Sequence, residues 1–175
     1  MKNSTKNLLQ RFLKNDATTL LLRLALLYIL WFLCRIVFYL QNAGLVGPLE
    51  WNEIPGLLRG VGMFDTASIL YVNAPFILLS LLPFRFRETR RYQRILCWLY
   101  TVTNALALIV NSADGIYFHY ARKRFTSDEL SYLHNNDNTG TVVLKGLAEN
   151  WYIVLWCALL IAAMVWVYRR IKAMP

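Results

Sequence analysis

Apolar residues run almost without interruption from Thr19 to Leu40, from Met63 to Phe84, from Ile95 to about Ala113 and from Trp151 to Tyr168. A helix rises about 1.5 Å per residue and a bilayer core is about 30 Å thick, so each run predicts a membrane-spanning helix. A secretory signal has an apolar stretch of only about 7–15 residues before a small-residue cleavage site. The first run is longer and ends in Phe38, Tyr39 and Gln41, which predicts that it is retained. The predicted fold is all-α: a polytopic bundle of about four transmembrane helices in a single membrane domain over residues 1–175.

The polar segments between the runs set the sidedness. Lys2, Lys6, Arg11 and Lys14 precede the first span; Arg85, Arg87, Arg90, Arg91 and Arg94 fill the turn after the second; Arg169, Arg170 and Lys172 follow the fourth. The alternate connections hold only Arg59, Arg122, Lys123, Arg124 and Lys145, together with most of the acidic residues. Lys and Arg favour cytoplasmic loops, so segments 1–18, 85–94 and 169–175 are expected inside and connections 41–62 and 114–150 outside. The stretch RFRETRRYQR then reads as a topology determinant facing anionic lipid, and no nucleic-acid partner is expected.

The outer connections carry their own pattern. Residues 41–62 mix Leu, Val and Trp with Pro48, Pro55 and glycines, too broken to span and too apolar to float free. They are expected to lie in the interface, anchored by Trp51. In the second connection Thr126 and Glu129 have capping-box spacing, predicting a short amphipathic helix from near Ser127. The polar HNNDNTGT follows, and VVLKGLAEN leads back to the fourth span.

Composition agrees with this picture. The chain has 175 residues, of which 57% are hydrophobic, 14% aromatic and 17% charged. Its mean hydropathy is +0.37, which excludes an ordinary water-soluble domain and a disordered tail. The net charge of +9 is accounted for by the basic loops. Cys34, Cys97 and Cys157 all fall inside apolar runs without metal-ligand spacing and read as packing residues.

A few polar residues inside the spans ask for partners. Arg23 lies near the cytoplasmic end of the first span and is expected to snorkel to water. Arg35 sits in the outer half, where an unpaired charge is costly, by about 2.5–3.5 kcal/mol at the bilayer centre and less toward the interface. Asp65 and Asp114 lie at comparable depth on the second and third spans, which points to an Arg35, Asp65 and Asp114 cluster. Such a cluster either locks three helices together or contacts a lipid headgroup; Arg122, Lys123 and Arg124, just beyond the third span, suit phosphate. Asn73 and Pro75 predict a kink in the second span. Asn104 and Asn111, two turns apart, are expected to bond across the bundle. His119 and His134 have no metal-site spacing, and Ser127 near His134 is too generic for a catalytic unit.

Three segments taken in order carry a family resemblance: RIVFYLQN at Arg35–Asn42, GVGMFDTASILYVNAPFILLSLLP at Gly60–Pro83, and NSADGIYFHYARKRFTSDELSYL at Asn111–Leu133. With their spacing, they make residues 23–168 resemble the N-terminal membrane portion of bacterial lipoteichoic acid synthase-like proteins of the sulfatase and alkaline phosphatase superfamily. In that family a bundle, usually of five spans, carries an extracytoplasmic domain. There a metal-activated threonine transfers phosphoglycerol or phosphoethanolamine from a lipid, or hydrolyses a sulfate or phosphate ester.

The resemblance implies a membrane anchor in a bacterial inner membrane, with a manganese-type metal and the catalytic residues in a C-terminal domain beyond this chain. It further implies a fragment lacking the fifth span, and an outer-leaflet groove shaped by Arg35, Gly62, Asp65, Asp114 and Arg124 that meets membrane lipid, an anionic phospholipid headgroup among the candidates. Two readings compete with it. One is a complete small multi-pass protein, a transporter subunit or assembly partner, which calls for polar residues along a midplane path. The other is a structural anchor without lipid specificity.

Overall fold

The computed structural model describes residues 2–47, 49–82, 89–124, 126 and 139–171, with side chains from residue 17 onward except those of 139–143. Every regular element among them is a helix: α1 (Lys2–Val46), α2 (Ile54–Leu81), α3 (Arg90–Ala121), α4 (Thr139–Glu149) and α5 (Trp151–Arg170). Four are long and apolar enough to cross a membrane, over Ala17–Val46, Ile54–Leu81, Arg90–Ala121 and Trp151–Arg170. The chain has the architecture of a multi-pass membrane bundle.

Each spanning helix buries one narrow stripe. On α3 it is Tyr92, Leu96, Tyr100, Asn104 and Leu108, recurring every fourth residue; on α5 it is Ile153, Cys157, Leu160, Met164 and Tyr168. The other faces are apolar too, and they are exposed: Leu21, Phe64, Tyr71, Trp98, Leu106, Leu159 and Trp166 all point outward. A helix in water exposes polar residues opposite its core stripe, so this all-round apolarity identifies the surrounding solvent as lipid. Helices α1 and α3 form the central pair. Helix α2 packs against both, and α5 packs mainly on α3 and more loosely on α1.

The connections differ from the sequence reading. Helix α1 continues through Gln41 and Asn42 to Val46, α2 begins at Ile54, and α3 runs past Asp114 to Ala121. Segment 41–62 is therefore mostly helix rather than a broken stretch. Pro55 stands at the start of α2, where proline costs no helical hydrogen bond. Gly47, at φ +83, supplies the left-handed residue that ends α1, and its N–H donates to the Ala43 carbonyl at 3.0 Å. Trp51 is exposed in the short turn that remains. The extra turns persist because Asn42 and Gly115 lie on the buried stripes and bond to each other, as described below. The helix predicted from near Ser127, and His134, lie outside the described residues.

At mid-bundle, the Asn73 amide donates to Asn104 Oδ1 at 3.0 Å and the Asn104 amide donates to Asn73 Oδ1 at 2.7 Å, joining α2 to α3. Both amides also donate to carbonyls of their own helices, at Ile69 and Tyr100. Neither retains an unused N–H, so the pair is closed. Asn111, in contrast, donates back to Ala107 in α3 rather than across the bundle. Helix α2 runs through Pro75 without interruption. Proline has no N–H to give the carbonyl four residues earlier, which is that of Tyr71.

Candidate functional site

Arg35, Asp65, Asp114, Arg122 and Arg124 lie toward one end of the bundle. Arg35 of α1 faces Asp65 of α2: its Nε donates to Asp65 Oδ2 at 2.9 Å and its Nη2 donates to Asp65 Oδ1. The two planar groups thus meet as a fork, the strongest geometry for this pair. Asp65 is nearly enclosed, with 6% of its side chain exposed, whereas Arg35 retains 31%. Two turns before Arg35 on α1, the Tyr28 hydroxyl donates to Thr66 Oγ1 at 2.8 Å, extending the α1–α2 seam.

Asp114 belongs to a second pair. Arg124 Nη1 lies 3.6 Å from Asp114 Oδ2, and its guanidinium sits 5.0 Å from the centre of the Phe38 ring on α1. Arg122 makes this return possible. It takes a left-handed conformation at φ 54 as the C-cap of α3, with its N–H on the Phe118 carbonyl, so the chain turns back over its own helix. Arg122 itself is exposed. The proposed triad is thus two ion pairs, Arg35–Asp65 tying α1 to α2 and Asp114–Arg124 closing the end of α3 over α1. Gly62, the remaining residue of the implied groove, accepts the Thr66 hydroxyl on its carbonyl within α2.

A groove that the sequence reading did not find lies on the other side of α1. It holds about 460 Å³ and is lined by Val37, Leu40, Gln41, His119, Asn150, Tyr152, Ile153 and Trp156, between α1 and α5. It narrows inward to a crevice of about 10 Å³ beside Cys34, Asn111, Ser112 and Gly115. Asn150, at the α4–α5 junction, organises the rim. Its amide donates to the Tyr120 hydroxyl at 3.3 Å and to the Gly146 carbonyl at 2.9 Å. Its Oδ1 accepts from Tyr152 at 3.2 Å and from Gln41 at 3.5 Å. Tyr120 donates to Glu149 at 2.9 Å.

Close packing of α1 on α3 forms the back of this groove. The Asn42 amide donates to the Gly115 carbonyl at 3.3 Å, and a Cβ at position 115 would stand 3.2 Å from Gln41 Oε1 and 3.5 Å from Phe38 Cδ2. The contact leaves room for little beyond a Cβ at this position.

The opposite end is sealed around Arg23, which corrects the expectation that it snorkels to water. It is buried, with its guanidinium 4.0 Å from the centre of the Tyr168 ring and its Nη2 donating to the Ile171 carbonyl at 3.2 Å. The Tyr100 hydroxyl donates to the Arg23 carbonyl at 3.0 Å, and the Tyr100 ring lies 4.7 Å from Tyr168 and 5.1 Å from Phe76. A cation near the carbonyl end of α5 is favoured by the helix dipole, and the aromatic faces replace the water it leaves.

Among the described residues, no three of His, Cys, Asp and Glu gather into a metal-binding group. No protein-family model, curated protein or solved structure matches the chain.

Proposed function

We propose that the chain is the membrane-anchoring module of a sulfatase-superfamily protein, a phosphoglycerol or phosphoethanolamine transferase or a sulfatase-like hydrolase. In this reading it sits in the bacterial inner membrane with its N-terminus in the cytoplasm. The end bearing Arg35 faces outward, beneath a C-terminal catalytic domain that holds the metal and performs the reaction.

The observation that carries the reading is the difference between the two ends of the bundle. The Arg23 end is closed by packed, mutually tilted aromatic rings, with a guanidinium on the Ile171 carbonyl just past α5. The Arg35 end brings together ion pairs, an exposed Arg122 and an open groove at the ends of α1, α3 and α5. That asymmetry suits a module that presents lipid to an outer domain.

The ion pairs refine the role of the arginines. With Arg35 engaged by Asp65 through two hydrogen bonds, its first duty is to lock α1 to α2. Arg122 and Arg124, exposed at the chain reversal, are the better placed to meet an anionic headgroup. The same closed pair equally suits a structural anchor without lipid specificity.

Sequencing the coding frame past the codon for Pro175 tests the proposal. It predicts a continuing frame with one further apolar span and then a threonine-centred metal site. An immediate stop codon contradicts the enzyme-module reading and leaves the small multi-pass protein in its place.

A further inference from the structure

We infer that the groove between α1 and α5 seats one acyl chain of a membrane glycerophospholipid, with its ester and phosphate oxygens at the Gln41, His119 and Asn150 rim. This requires only that the bundle lies in a membrane. It holds whether or not a catalytic domain follows, and it moves the lipid seat away from the Arg35–Asp65 pair to the opposite side of α1.

The groove has the size and character of a small-molecule site. About 460 Å³ falls within the usual range for ligand pockets, roughly 300–1,000 Å³. Val37, Leu40, Ile153 and Trp156 make its floor and walls apolar. Its position selects the occupant. Leu40 is 68% exposed and Tyr152 is 48% exposed, so the mouth is continuous with the apolar surface that faces the bilayer. Hydrocarbon already bathes that surface, and a chain enters sideways without crossing water.

The rim supplies polar complementarity at one end only. Asn150 has both amide hydrogens committed, to Tyr120 and Gly146, so it shapes the rim rather than grips a ligand. Gln41 reaches Asn150 through a single long bond of 3.5 Å and has a second amide hydrogen to give. His119 lines the same groove from the end of α3 and is exposed. Glycerolipid esters and phosphates are acceptors without N–H donors of their own at that position, which matches donors set at the polar end of an apolar slot. Exposed Trp151 and Tyr152 beside Asn150 have the apolar body and polar edge that suit the headgroup level.

Photolabelling tests this directly. The full chain is reconstituted in phosphatidylglycerol and phosphatidylethanolamine vesicles doped with a phospholipid carrying a diazirine on its acyl chain. After irradiation, labelled peptides are mapped by mass spectrometry. Labelling of residues 37–41 and 150–156 should exceed that of the equally exposed Leu21, Leu106 and Leu159 faces by roughly tenfold, about 1.4 kcal/mol of preference over bulk-lipid contact. Leu40→Trp, which crowds the mouth from a lipid-facing position, should remove the excess while leaving labelling of the other faces unchanged. Even labelling of all apolar faces overturns the inference. So does crosslinking of Leu40→Cys to Tyr152→Cys between two chains, which would show a second copy filling the groove.

Discussion

Replacing Asp65 with Leu while Arg35 remains is expected to destabilise the bundle by about 3 kcal/mol, the cost of leaving a guanidinium uncompensated at membrane depth. Arg35→Leu alone should be harmful as well, because Asp65, with only 6% of its side chain exposed, would then hold an enclosed carboxylate with no cation against it. The double variant Arg35→Leu, Asp65→Leu removes both charges and should recover most of the loss, since a well-packed apolar pair often equals a buried ion pair in stability. Denaturant titration in mixed micelles, with cellular accumulation as a second readout, measures all three. If Asp65→Leu proves as stable as the double variant, Arg35 is being neutralised by something other than Asp65, and lipid phosphate becomes its natural partner.

Gly115→Leu is expected to cost about 1–3 kcal/mol, the range for forcing extra carbon into a packed contact. The new side chain would meet Phe38 and Gln41 where α1 packs on α3, and would strain the Asn42 bond to the Gly115 carbonyl. Gly115→Ala should be far milder. Its Cβ would meet the tip of the flexible Gln41 side chain at 3.2 Å, which can withdraw by a few tenths of an ångström. Unfolding measurements on the two variants separate the alternatives: equal stability for Leu and Ala would mean that α1 and α3 do not approach closely there.

The four spans were legible because a bilayer imposes a simple length rule on apolar runs. The need of Arg35 for a nearby anion was legible for a similar reason, since charge at membrane depth cannot be left alone. What escaped was facing. Distance from the helix end alone puts Arg23 within reach of water. Yet Leu20, Arg23, Leu27, Leu30 and Cys34 recur at three or four residues and all are buried, so the helical spacing already carried the signal that Arg23 points inward.

The partner of Asp114 depended on more than depth. Helix α3 continues beyond it, and the left-handed turn at Arg122 brings Arg124 back, a reversal that no periodicity encodes for an arginine. The groove was hidden for a further reason. It exists because α5 packs closely on α3 and loosely on α1, a matter of how three helices are arranged rather than of any one of them. Gln41, Asn150 and Tyr152 flank apolar runs as ordinary interfacial residues do, and only their convergence distinguishes them.

The central claim is the sidedness that places Arg35, Asp114, Arg122, Arg124 and the groove on the outer face. Single cysteines introduced at Thr89 and at Lys145, in a background lacking Cys34, Cys97 and Cys157, allow it to be read with a membrane-impermeant thiol reagent applied to intact cells. The account predicts labelling at position 145 and protection at position 89 until the membrane is opened. Labelling at position 89 with protection at position 145 would contradict it.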